Sequence, residues 1–213
     1  LTGLGPCFIK LGQALSTRPD LVRRDWLEEL TRLQDDLPAF PHATALACIR
    51  EELGAPAEEL FEEFPDTPIA AASLGQVYKA RLQGQHWVAV KVQRPNLTFI
   101  LRRDLVLIRA LGVMTAPLLP LNLGFGLGGI IDEFGRSLFE EIDYGLEAAN
   151  AERFSALFAD NDAVYIPKVE RMLSSTRVLT TTWIDGAKMR DSEELRSQRL
   201  DPTALIRTGV ICG

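Results

Sequence analysis

The sequence of 213 residues contains little of what metal-binding and secreted domains use, with only three cysteines and two histidines. Cys7, Cys48 and Cys212 lie far apart and form no C-x-x-C pair. Neither His42 nor His86 has the spacing from a cysteine that zinc motifs use. The pattern therefore favours small buried thiols in a reducing compartment over a zinc site or a disulfide framework.

An excess of basic residues is also absent. The chain has 23 Lys and Arg residues against 29 Asp and Glu residues, which gives a net charge of −6. A general nucleic-acid binder needs a basic face that neutralises phosphates, so we expect no nucleic-acid partner. The 46% of hydrophobic and 24% of charged residues are typical of globular protein, and the length suffices for a sizeable core.

The sequence has one long uncharged run, and it is interrupted. Residues 110–131 are 22 residues without a charge, long enough in principle to span a bilayer. Pro117, Pro120 and five glycines break the run, which disfavours a spanning helix. The pattern favours a buried helix end followed by an apolar loop that contacts a membrane surface. Within this run, residues 124–129 match G-x-G-x-x-G, but no strand precedes them, so a dinucleotide-binding turn is not expected.

Hydrophobic periodicity divides the chain into segments. Residues 1–64 contain apolar residues at helical spacing in four segments, starting at residues 5, 23, 41 and 55. From residue 65 the period changes to two, and "LGQVYKARL" and "HWVAVKVQ" read as a hairpin. A helix over 96–114, one long helix over 130–160, two strands over 164–173 and 175–186, and a helical tail over 192–210 follow. This order predicts an α+β fold with an antiparallel sheet.

The hairpin has the spacing of a phosphate-covering loop of the kinase type. With Val77 at the valine of G-x-G-x-x-G-x-V, the three glycine positions hold Ala70, Ala72 and Gly75. A lysine, Lys91, follows fourteen residues later on the second strand, and strand alternation places it on the same face as the small residue Ala89. This pattern indicates room for a flat base beside a cation for phosphates. The alternative is a surface hairpin whose lysine reaches water.

A lysine in such a site requires a carboxylate partner. The predicted long helix carries Glu140, Asp143 and Glu147 at a spacing that places them on one face. Acidic stripes usually face solvent, but the small residues around Glu147 in "GLEAANA" are suited to close packing. The residues alone therefore leave two interpretations open, a solvent-facing stripe and a stripe that supplies the partner of Lys91.

Four segments together resemble the AarF/UbiB family of atypical protein-kinase-like ATPases, which is tied to quinone and isoprenoid-lipid metabolism. They are "KLGQALSTRPDL", "AAASLGQVYKA", "VAVKVQRP" and "EIDYGLEAANAERF", in this order along the chain. The resemblance covers residues 5–186. It implies a protein-kinase-like N-lobe (residues 65–186) behind an N-terminal helical extension (residues 1–64). Residues 187–213 would begin a large lobe that is mostly missing.

The resemblance also implies roles for individual residues. Lys10, Gly12 and Gln13 would form a regulatory gate, and Lys91 with Glu147 would be the catalytic ion pair. Glu141 and Asp143 would be a metal or gate contact, although a regular helix points them about 200° apart. Thr182 departs from the family, whose members often carry a glutamate there. The residues expected to bind ATP or ADP are Ala70, Ala71, Ala72, Ser73, Leu74, Gly75, Val77, Ala89 and Lys91.

The residues that complete phosphoryl transfer are not found in the sequence. It contains no H-x-D-x-x-x-x-N and no D-F-G, so most ligands of Mg²⁺ and the catalytic aspartate are expected downstream of residue 213. The chain is thus predicted to be the N-terminal, nucleotide-binding part of such an ATPase, inactive alone. The alternative is a non-catalytic pseudokinase scaffold that binds membrane lipid or quinone-pathway proteins through residues 110–131. Either reading is compatible with a peripheral membrane or cytoplasmic location, in an organelle or a bacterium.

Overall fold

A computed structural model describes residues 4–17, 38–84, 86–115, 127–186, 192–197 and 200–212. The helix predicted over residues 23–36 and half of the uncharged run, residues 116–126, lie outside these ranges. The helices are α1 (Pro6–Ser16), α2 (His42–Leu53), α3 (Ala57–Leu60), α4 (Leu97–Thr115), α5 (Leu127–Glu141), α6 (Tyr144–Leu157), α7 (Ser192–Ser197) and α8 (Pro202–Cys212). The strands are β1 (Ala70–Ala71), β2 (Gly75–Leu82), β3 (His86–Gln93) and β4 (Val178–Thr182).

The four strands form one antiparallel sheet in the order β1-β2-β3-β4. This arrangement confirms the predicted α+β fold and the predicted hairpin. Strand alternation sends Val88, Val90 and Val92 into a core that α2 closes with Ala45 and Ile49. The opposite face of β3 therefore presents Ala89 and Lys91, as the sequence pattern predicted.

A second core lies between α1, α4 and α5. Leu101 and Ile108 of α4 pack against Ile131 and Leu138 of α5, and Cys7 of α1 joins them. All five side chains are at least nine-tenths buried. This packing fixes α1 beside the end of α5. Across the described residues no helix is long and apolar enough to cross a membrane.

Predicted elements differ from the structure in several places, and the helical tail over 192–210 is two helices, α7 and α8. The long helix over residues 130–160 is two helices, because the backbone at Asp143 is extended and its side chain caps α6. The first predicted strand of the second pair, over 164–173, forms only a single bridge, Val169 to Thr181, followed by a 3-10 turn at Arg171–Leu173. Pro167 lies at its centre and has no N–H to donate to a ladder.

Candidate functional site

Lys91 and Glu147 are brought together as predicted. In β3, Lys91 lies between Val77 of β2 and Leu179 of β4. Its Nζ is 2.7 Å from Oε2 of Glu147 in α6, and 4.5 Å from the centroid of the Tyr144 ring. The two charged side chains are 34% and 45% exposed, so the pair is reachable from solvent. A cation held in this way can bind an anion such as a phosphate.

The turn between β1 and β2 is tight and closely packed. Ala70 pairs with Val77, and the N–H of Ala72 donates to the carbonyl of Gly75 at 2.8 Å. A Cβ on Gly75 would lie 2.6 Å from both the Tyr144 hydroxyl and the Val92 carbonyl oxygen. Only glycine therefore fits at the end of this turn in its present position.

Arg94 stabilises this turn through hydrogen bonds, a role that was not predicted from the sequence. Its Nε donates to the Ala72 carbonyl at 2.8 Å and its guanidinium donates to the Pro38 carbonyl at 2.9 Å. The Arg94 N–H donates to the Leu74 carbonyl at 3.0 Å. Burial lowers the pKa of Arg94. Its position directly after β3 in "VQRP" was visible in the sequence, but its partners were not.

The turn, Lys91 and α1 enclose a cavity of about 170 Å³. Most of the residues predicted to bind the nucleotide line this cavity. Ala71 does not line it, and neither does Ala89, which lies two residues before Lys91 in β3. The lining side chains come from α1, the turn, β2, β3 and the end of α5. They belong to Lys10, Ala70, Ala72, Ser73, Leu74, Gly75, Val77, Lys91 and Glu141.

The predicted gate residue Lys10 closes one side of this cavity. Its Nζ is 2.5 Å from Oε1 of Glu141, and the Lys10 side chain is only 16% exposed. Gly12 is buried within α1. Gln13 lies on the adjoining groove of about 220 Å³ between α1 and α5, which Lys10 and Glu141 also line.

Glu141 and Asp143 take different partners. Glu141 ends α5 and pairs with Lys10, whereas Oδ1 of Asp143 accepts from the N–H groups of Gly145 (2.9 Å) and Leu146 (3.4 Å). The described part of the chain contains no group of three His, Cys, Asp or Glu side chains placed to hold a metal ion. In this structure Glu141 thus bonds to a lysine and Asp143 to the start of a helix.

Tyr144 lies next to both Lys91 and Gly75. The side chain is fully buried, and none of the described residues forms a hydrogen bond with its hydroxyl. Burial, and then the negative charge of Glu147, raise the pKa of this hydroxyl, so the phenol is neutral. The ring supports Lys91 while the hydroxyl oxygen contacts Gly75, which joins the lysine to the turn.

The comparison with known proteins agrees with this geometry. The model of the ABC1 atypical kinase-like domain matches residues 32–212. The chain belongs to the ABC1 atypical kinase-like family. It is 52% identical to protein slr1919 of Synechocystis over the whole chain, which is 38% of that protein. It is 45% identical to Protein ACTIVITY OF BC1 COMPLEX KINASE 1, chloroplastic, of Arabidopsis thaliana, covering 99% of the chain and 31% of the relative.

A solved structure shows the same fold. The complex of Rv3197 with erythromycin, from Mycobacterium tuberculosis, superposes with a TM-score of 0.59 at 34% identity. The match covers 84% of this chain and 44% of that one. The sheet and its helices are thus a kinase-like N-lobe, which confirms the predicted family and fold. The chain spans about a third of the length of the curated relatives it matches.

Proposed function

We propose that this chain is the nucleotide-binding part of an ABC1-type atypical kinase or ATPase that uses ATP or ADP with Mg²⁺. The observation that carries the proposal is the Lys91–Glu147 ion pair at the edge of the cavity beneath the alanine-rich turn. Lys91 would hold the α- and β-phosphates, Glu147 would orient the lysine, and the turn would cover the phosphates. Lys10 and Glu141 close the cavity on the side of α1.

The proposed activity belongs to the whole protein. The chain has no catalytic aspartate motif and no D-F-G, so phosphoryl transfer requires residues outside it. Bound magnesium would supply charge neutralisation of the phosphates. Family membership makes quinone or isoprenoid-lipid metabolism the proposed process, at a membrane surface or in the cytoplasm of an organelle or a bacterium.

The test replaces Lys91 by methionine and measures Mg-ATP and Mg-ADP binding by calorimetry in the whole natural protein. Lys91→Met should weaken both nucleotides by about a hundredfold or more, since a charged hydrogen-bond pair to phosphate is lost. Lys168→Met is the matched control, because Lys168 is an ion-paired lysine that is 76% exposed and outside the cavity. Wild-type affinity in Lys91→Met would refute the proposal.

A non-catalytic scaffold is the second candidate, and one feature of α4 favours it. Phe99, Val106, Val113 and Met114 share one exposed side of this helix and are 56% to 72% exposed. Such a stripe is suited to a lipid surface or a partner protein. Binding to lipid vesicles without any nucleotide binding would favour this function over the first.

A further inference from the structure

A buried glutamine follows Lys91 on the same face of β3. Gln93 lies two residues after Lys91, and its partner in β2 is Gly75. Gln93 is only 4% exposed. Its backbone N–H donates to the carbonyl of Arg177 at 3.0 Å, just before β4 begins. Neighbouring chain segments on both sides therefore fix the backbone of Gln93.

The amide of Gln93 binds the chain between α5 and α6. Its Nε2 donates to the carbonyl of Ile142 at 2.6 Å. The N–H groups of Leu146 and Glu147 donate to the carbonyl of Asp143, one residue further along. The Ile142 carbonyl lies at the end of α5, where a helix leaves its carbonyls without helical partners, and Gln93 supplies the missing donor.

A second hydrogen bond connects the start of α6 to the sheet. The N–H of Tyr144, the first residue of α6, donates to the carbonyl of Thr176 at 3.1 Å. Thr176 precedes Arg177, whose carbonyl accepts from the Gln93 N–H. The start of α6 is therefore attached at two points, one in β3 and one beside β4.

These attachments determine where Glu147 lies relative to Lys91. Glu147 is in the first turn of α6, four residues after the capping residue Asp143. The Lys91 and Glu147 side chains are 34% and 45% exposed, and an ion pair in contact with solvent contributes little stability of its own. The backbones of β3 and α6 must therefore bring the two groups together, and Gln93 joins these backbones.

We propose that Gln93 is a positioning residue of the nucleotide site, whose amide holds the start of α6 so that Glu147 reaches Lys91. This inference rests on the proposed function and adds to it a buried residue that acts through Glu147. Its test needs one measurement without nucleotide and one with it, so that the two proposals can fail separately.

The first measurement is the rate at which a succinimidyl ester acylates Lys91 in the whole natural protein, followed by peptide mass spectrometry. The ion pair stabilises the ammonium, which is the unreactive form of the amine, so Glu147→Gln should raise the rate by about two- to fivefold. Gln93→Met keeps the length of the side chain without its N–H donors, and it should raise the rate equally. The double variant should show no further rise, and Lys168 should react alike in all four proteins.

Gln76→Met is the matched control, because Gln76 is a buried glutamine on the opposite face of β2. Its amide accepts from the Phe40 N–H at 3.0 Å and bonds to the Tyr78 hydroxyl. Gln76→Met should lower stability and leave the acylation of Lys91 at the wild-type rate. A wild-type rate in Gln93→Met, or an equal rise in Gln76→Met, overturns the inference. If Gln93→Met does not fold, Gln93→Glu, which has the same shape and no N–H donor, takes its place with the same expectations.

The second measurement is calorimetric binding of Mg-ATP. Gln93→Met should weaken binding by about tenfold, since the lysine is no longer oriented for its hydrogen bond to a phosphate. In the Glu147→Gln background the same change should cost less than about twofold, because the amide acts through Glu147. An equal loss in both backgrounds overturns the inference. A wild-type protein that does not bind Mg-ATP refutes the proposed function and the nucleotide part of the inference, whereas the acylation rates still test the positioning itself.

Discussion

Gly75 offers the sharpest test of how the turn is packed, because a single methyl group has no room there. A Cβ at this position would be 2.6 Å from the Val92 carbonyl oxygen and 2.6 Å from the Tyr144 hydroxyl oxygen. The first atom is backbone of a central strand, and the second belongs to a fully buried ring. Neither atom can shift without moving the backbone or the ring to which it belongs. In Gly75→Ala the start of β2 must therefore move away from β3.

The size of the effect follows from overpacking. Forcing a methyl group into a packed site costs about 1–3 kcal/mol, and each kcal/mol shifts the unfolding midpoint of a domain of this size by about 2–4 °C. Gly75→Ala should therefore lower the midpoint by about 2–12 °C. Tyr144→Phe removes one of the two close contacts together with a buried hydroxyl that has no hydrogen-bond partner in the described part of the chain. In the double variant, Tyr144→Phe should therefore restore part of the lost unfolding midpoint. The clash with the Val92 carbonyl should account for the part that is not restored.

The assay is calorimetric unfolding of the four proteins of this double-mutant cycle. Gly129→Ala is the matched control, since Gly129 is exposed on α5 and a Cβ there meets nothing within 4 Å. Alanine is the better helix former, so this control should be neutral or slightly stabilising. If Gly75→Ala unfolds at the wild-type temperature, the turn has room that the structure does not show, and the argument that it is closely packed fails.

Two further predictions concern Arg94 and Cys7. Arg94 bonds to the two carbonyls from two separate nitrogens, Nε and Nη2, and Arg94→Lys replaces them by one, so we expect one bond to be lost. The variant should cost about 1 kcal/mol of stability and weaken ATP binding, both measured by calorimetry. Unchanged values of both would contradict the role of Arg94 in stabilising the turn. Burial, and then the charge of Asp104, raise the pKa of the Cys7 thiol to about 12, so it should resist alkylation at pH 8 in the folded protein. The thiol of the unfolded chain ionises at lower pH than the folded one, so the contribution of Cys7 to stability should fall as pH rises from about 9 towards 12. Cys7→Ala should make this fall of stability with pH less steep. An equally steep fall in Cys7→Ala would contradict the assignment.

Local patterns in the sequence were enough to predict the hairpin, and the family resemblance singled out Glu147 as the partner of Lys91. Alternation over eight residues fixes which face of β3 Lys91 occupies, and small residues around Glu147 indicate close approach. The partners of Arg94 could not be predicted in the same way, because they lie 22 and 56 residues away along the chain.

The break between α5 and α6 explains why a single regular helix gave the wrong side-chain directions for Glu141 and Asp143. A single helix points Glu141 and Asp143 in nearly opposite directions, which argues against a shared ion. In the structure the chain bends between them, and the two carboxylates bond to different parts of the site. Glu141 reaches Lys10 of α1, 131 residues away in sequence, and Asp143 starts the helix whose first turn carries Glu147. Lys10 and Lys91 are therefore positioned from opposite sides of one two-residue bend.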